Sequence, residues 1–101
     1  MTRLLIVDQD RAKPGAAAAA LAHQPDIQLL GTVHSVDEAL ASLQFCDMIL
    51  VSATLPCGGA LELVRAVMNL DPWVRVLVTN LAESQEASAP YLEAGATGWV
   101  L

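Results

Sequence analysis

The residues best placed to do chemistry in this chain stand just past short apolar runs. Residues 4–7 are followed by Asp8-Gln9-Asp10, residues 48–51 by Ser52, and residues 74–78 by Thr79-Asn80. Asp8 and Asp10 are oxygen donors of the kind a hard divalent cation takes, although two solvated carboxylates at a strand end read as simply. Ser52 and Thr79 carry hydroxyls, which become nucleophiles only beside a general base. Ser52 has no histidine near it in sequence, so a hydrolase reading lacks both a paired base and an oxyanion arrangement. His23 and His34 fall near a helix end and a strand end and read as surface histidines. Cys46 and Cys57 flank one apolar run, and about six strand residues at ~3.3 Å each hold them too far apart to bridge. No third or fourth ligand has metal-site spacing, so both are expected as free thiols.

These residues meet only if the apolar runs are neighbouring strands. The run within Asp47 to Pro56 is short, unbroken and bounded by polar residues, as in a strand buried on both faces of a parallel sheet, and it reads as the middle strand. Before it, residues 3–7 and 27–33 read as strands, the second carrying Gly31. Pro14-Gly15 opens a helix over the alanine run 16–22, which has high propensity but offers small side chains to a core. Ser35 and Glu38 have capping-box spacing, and Val36, Ala39, Leu40 and Leu43 then share one face of a helix ending near Phe45. After the middle strand, Cys57-Gly58-Gly59 turns into a helix over 60–69. There Leu61, Val64 and Met68 are expected inward, with Glu62 and Arg65 outward. Asp71-Pro72 ends that helix, and Trp73 follows as an exposed loop aromatic suited to an interface. A strand over 74–78, a helix over 84–94 that Pro90 should kink or shorten, a closing Gly95 and a strand beginning at Gly98 complete the chain.

Strands alternating with helices mean a parallel sheet with right-handed crossovers and helices on both faces. In such a sheet ligands and chemistry sit outside the carboxyl ends of the strands, where Ser52 is central. A length of 101 residues with 54% hydrophobic content makes one domain with an ample core, which excludes disorder. No apolar stretch approaches the ~20 residues of a membrane span, and the leading run is too short for a signal peptide, so a cytoplasmic location is expected. A net charge of -6 with five Lys and Arg does not suit direct binding to nucleic acid.

Four stretches in order, Leu-Leu-Ile-Val-Asp-Gln-Asp at 4–10, Pro-Asp-Ile-Gln-Leu-Leu-Gly at 25–31, residues 47–63 and Leu-Glu-Ala-Gly-Ala-Thr-Gly-Trp-Val-Leu at 92–101, resemble the receiver domain of bacterial response regulators. The resemblance is closest to the class with a C-terminal helix-turn-helix. It implies a three-layer, doubly wound α/β fold of flavodoxin type with five parallel strands in the order 2-1-3-4-5, as a single receiver-like domain over 1–101. It further implies cytoplasmic signalling in a two-component phosphorelay and an output domain, most plausibly DNA-binding, in a longer parent protein.

Carried over residue by residue, the resemblance departs from its own chemistry. Of the two adjacent acids that hold Mg2+ in the family, Asp8 matches the first and Gln9 replaces the second, with Asp10 one place further on. The phosphoaccepting aspartate falls on Ser52, whose hydroxyl cannot form the acyl phosphate of the relay. The switch hydroxyl matches Thr79 and the switch aromatic Trp99, while the family's lysine would follow Leu101. The expectation is an atypical receiver, not an enzyme, with no cofactor and at most weak Mg2+ binding through Asp8. The expected activity is phosphorylation-independent protein interaction or self-association. The alternative is a crevice around Asp8 that binds Mg2+ or a small ligand and switches through Thr79 and Trp99. The family's fifth helix has no counterpart before Leu101, which suggests a homodimer over strands one, four and five, or a following segment that covers them.

Overall fold

Apolar runs of five to seven residues form the sheet of the computed structural model, which describes residues 2–8, 20, 23–55, 58–79 and 85–99, except the side chains of 85–88 and 99. The strands are β1 (Thr2–Val7), β2 (Ile27–Val33), β3 (Met48–Ser52), β4 (Arg75–Thr79) and the short β5 (Gly98–Trp99). All pairs are parallel, in the order β2-β1-β3-β4-β5. This is the flavodoxin-type order expected from sequence, with the predicted middle run at the centre. Leu4, Ile49, Leu50, Val51, Val76 and Val78 are fully buried, as a central parallel strand requires on both faces.

Strand alternation divides these side chains between two clusters. Leu5, Val7, Ile49, Val51, Val76 and Val78 belong to the larger one, together with residues of α1 (Val36–Ala41), α2 (Gly59–Leu70) and α3 (Gln85–Ala94). Leu4, Ile6 and Leu50 form the smaller one on the opposite face, with Ile27, Met48 and Leu77 packed against it. The predicted helix over 16–22 lies outside the described residues apart from Ala20.

The helices follow their local signals with one difference. In α2 the inward stripe is Ala60, Leu63, Val64 and Val67, with Leu61 and Met68 only partly buried. The inward stripe is thus rotated from the predicted Leu61, Val64 and Met68, and at its start Gly59 packs so closely on Leu55 that a Cβ would stand 3.2 Å from Leu55 Cβ. Burying Leu63, Val64 and Val67 contributes about 1.5–3 kcal/mol each. α3 runs to Ala94 with Pro90 inside it, in keeping with the predicted span 84–94, although the ring removes an intrahelical donor. α1 starts as expected: Ser35 Oγ accepts the Glu38 N–H at 3.2 Å and donates to Glu38 Oε1 at 3.2 Å. It gives way to a 3-10 turn, Leu43–Phe45.

Gly95 ends α3 in a Schellman arrangement. Its N–H donates to Leu92 O at 3.1 Å, and the Ala96 N–H donates to Tyr91 O at 2.9 Å. Its φ of 114° favours glycine, and a Cβ there would stand 2.5 Å from Met68 Cγ of α2. The same residue therefore caps one helix and lets the next pack against it.

At the amino edge of the sheet, Asp47 ties three strands together. Its carboxylate accepts from Arg3 N at 2.9 Å, Arg3 Nε at 3.1 Å and an Arg3 Nη at 3.2 Å. Its own N–H donates to Arg3 O at 2.9 Å, and its carbonyl accepts from Arg75 N at 3.1 Å. The hydrogen bonds from Arg3 hold the Asp47 carboxyl below its ordinary range and raise the Arg3 guanidinium.

Two outcomes follow. Gly95→Ala should cost about 1–3 kcal/mol in urea denaturation, and adding Met68→Ala should restore only part of it, since the φ penalty remains. Because the folded pKa of Asp47 is depressed, its pairing stabilises the fold fully above the unfolded value of about 4 and is lost as pH falls through the lower folded value. Asp47→Asn should therefore be less stable than wild type at neutral pH, and the two melting curves should converge in acid.

Candidate functional site at the carboxyl edge of the sheet

Parallel register brings the polar strand ends together. Val7 pairs with both Val33 and Val51, Ser52 with Thr79, and Val78 with Trp99. Asp8, one residue beyond Val7, therefore leaves the sheet beside Ser52. Following Ile6, Leu50 and Leu77 in alternation, Asp8, Ser52 and Thr79 belong to the face of the smaller cluster. All three are buried, with relative exposures of 6%, 0% and 7%. Gln9, Asp10 and Asn80 lie outside the described residues, and Trp99 is placed by its backbone alone.

Ser52 is held by the loop it starts. The Thr54 N–H donates to Ser52 Oγ at 3.2 Å, and the two hydroxyl oxygens stand 2.6 Å apart. The backbone closes around this pair, with Leu55 N–H on Ser52 O at 3.2 Å and Ala53 N–H on Thr79 O at 2.9 Å. Serine hydroxyls make such bonds to the residue two places on, so the Ser-Ala-Thr spacing was the legible signal for Thr54. This loop orients the hydroxyl for hydrogen bonding within the protein.

His34 is half-buried rather than on the open surface, and Nδ1 lies 2.9 Å from Asp8 O. A carbonyl only accepts, so Nδ1 carries the proton. The Asp8 N–H donates in turn to Val33 O at 3.0 Å, which binds the ends of β1 and β2. No pattern in the sequence pointed to His34. Its role comes from the register that sets Val33 beside Val7. His23 is exposed, as expected.

Among the described strand-end residues, Asp8 is the single carboxylate, and no described group of three or more His, Cys, Asp or Glu could hold a metal ion. Cys46 is a free, buried thiol whose Sγ lies 3.4 Å from Leu43 O, and burial pushes its pKa up. Cys57 lies outside the described residues. At the opposite edge of the sheet, Arg3, Asp47, Asp71, Trp73 and Arg75 line a cleft of about 500 Å³, and Trp73 is 90% exposed, as the loop reading predicted.

The Ser52–Thr54 bond should be measurable as a coupling. Ser52→Ala and Thr54→Val are each expected to cost about 1 kcal/mol in chemical denaturation. The double variant should cost less than their sum by about 0.5–1.5 kcal/mol.

The chain is 28% identical over 103 aligned positions to the DNA-binding transcriptional activator DevR/DosR of Mycobacterium tuberculosis, a match covering 100% of this chain and 48% of that protein. It is 26% identical to the response regulator GacA of Pseudomonas viridiflava, over 99% of this chain and 48% of the relative. The chain thus spans about half the length of these curated relatives. A response regulator of the LuxR family from an Aurantimonas species superposes with a TM-score of 0.83 at 22% identity, over 97% of this chain and 71% of that one. A CheY-like receiver domain protein from Methanospirillum hungatei gives 0.78 at 25% identity, over 99% of this chain and 80% of that one. No family model matches. In fold and in sequence the chain is similar to the receiver domains of response regulators.

Proposed function

We propose that this domain is a phosphorylation-independent receiver that acts by protein contact, including self-association, to control an output such as transcription. The observation that carries the reading is Ser52. By the resemblance it falls where the family has its phosphoaccepting aspartate, and its buried hydroxyl accepts from the Thr54 N–H and lies 2.6 Å from the Thr54 hydroxyl oxygen. A hydroxyl there has no carboxylate oxygen with which to form an acyl phosphate, and Gln9 removes one of the two acids that would bring Mg2+ to it. Thr79 and Trp99 keep the switch positions of the fold without the modification that would drive them. The exposed Trp73 and the nearby exposed Leu70 suit a protein surface better than a small-molecule one. The curated relatives are about twice as long and include a DNA-binding activator, which supports an attached output domain of that kind in a cytoplasmic regulator. No helix among the described residues is long and apolar enough to cross a membrane.

The test is incubation with a small phosphodonor such as phosphoramidate in excess Mg2+, followed by intact mass and sedimentation. No phosphoryl gain and no change in self-association are expected. A Mg2+-dependent, acid-stable and base-labile adduct would overturn the reading. So would a Mg2+ titration that shifts tryptophan fluorescence in wild type and not in Asp8→Ala, which would make the Asp8 crevice the working site.

A further inference from the structure

At the amino edge of the sheet two clefts share a wall. The first, of about 500 Å³, is the one lined by Arg3, Asp47, Asp71, Trp73 and Arg75. The second, of about 400 Å³, lies between the ends of α1 and α2 and is lined by Leu40, Leu43 and Leu70. Gln44 and Asp71 line both, so the two make one groove with a polar half and an apolar half. Each half carries a bulky exposed side chain, Trp73 at 90% in the polar half and Leu70 at 66% in the apolar half. An exposed tryptophan beside a cleft is the residue type that anchors protein interfaces.

Charge sets this groove apart from the rest of the chain. Its two Arg and two Asp cancel, so the net charge of -6 resides elsewhere. The four charges are not equivalent. Arg3 is committed to Asp47 through two guanidinium nitrogens, at 3.1 and 3.2 Å. Asp71 Oδ1 accepts the Trp73 N–H at 3.2 Å. Arg75 is exposed, and among the described residues its guanidinium has no ion pair, while its backbone N–H is held by Asp47 O. An open guanidinium fork is matched by a carboxylate, which it binds through two parallel hydrogen bonds.

We infer that this groove docks a segment of a partner protein that presents one carboxylate beside bulky apolar side chains. This rests on the reading of the domain as an interaction module and names the chemistry of its partner. Electrostatics select that occupant. A basic segment is drawn to the acidic remainder of the surface and meets Arg75 here, whereas a strongly acidic one is repelled by that remainder. A nearly neutral segment with a single carboxylate avoids both penalties and forms its ion pair locally. The carboxylate belongs in the half that Arg75 lines, and the apolar side chains follow across Trp73 into the half that Leu70 lines. Asp71 lines both halves, so a second carboxylate on the segment would meet like charge. The exposed Gln44 amide at the shared wall can donate to and accept from the backbone of the segment.

The probe is a phage-displayed library of random short peptides selected on the whole chain. Enriched peptides are expected to carry one Asp or Glu beside Leu, Ile, Phe or Trp. In calorimetric titration with a synthetic copy, Trp73→Ala and Arg75→Ala should each weaken binding at least about tenfold, and Arg75→Lys less. Once the acid of the peptide is replaced by its amide, Arg75→Ala should cost little more. Circular dichroism checks folding, and Leu70→Ser carries the test if Trp73→Ala does not fold. No enriched peptide, enriched peptides without an acid, or binding that survives the folded variants overturns the proposal. So does a dimer in sedimentation that Trp73→Ala dissociates, which makes a second copy the occupant. Any of these leaves phosphorylation independence standing, because the phosphodonor experiment decides that separately.

Discussion

The alignment of strand ends in a parallel sheet is the constraint from which the rest of this structure follows. Slanted, evenly spaced hydrogen bonds between parallel strands hold Val7, Val33 and Val51 level, and Ser52 level with Thr79. Each strand end then delivers its next residue to the same edge, so Asp8, His34, Ser52 and Thr79 gather there although 71 positions separate the first from the last. A one-residue slip of β3 would exchange Ser52 for Ala53 at that edge and turn Leu50 and Val51 to opposite clusters. With both faces buried, such a slip has no favourable alternative, and the register is strongly specified.

Two polar assemblies guard the two edges. At the amino edge, Asp47 binds β1 through a two-pronged ion pair and β4 through its backbone carbonyl. The pair is exposed, so its value lies in orienting three strand starts rather than in Coulomb energy. At the carboxyl edge the ties are internal: the Ser52 loop closes through Thr54 and Thr79, and His34 fastens β2 to Asp8. Among the described residues, one carboxylate, two hydroxyls and one imidazole stand where the resemblance would place an acidic pocket.

Alternation between the two halves of the core has a further consequence. The larger cluster is closed by helices whose caps and glycines are specific, such as Ser35 at the start of α1 and Gly95 between α3 and α2. Among the described residues, exposed apolar side chains include Leu29 and Leu30 on the outer strand, Phe45, and Leu70 and Trp73 near the end of α2. A rigid scaffold with apolar surface at its periphery is suited to contacts with other chains.

By itself the sequence determined the strand count, the boundaries of β2, the cap at Ser35, the terminator at Gly95 and the identity of the residues at each strand end. These are local matters, decided by which side chains can be buried in a short run, which can satisfy a free N–H, and which backbone can reach positive φ. The substitution of Ser52 was equally legible, since it needs only a residue type at the end of a recognisable run. Tertiary structure alone decided which face of α2 turned inward, because that depends on where the sheet and the neighbouring helices lie. It alone decided that His34 reaches the Asp8 carbonyl across 26 residues of chain. Those outcomes rest on distances between elements, which a pattern along the chain does not contain.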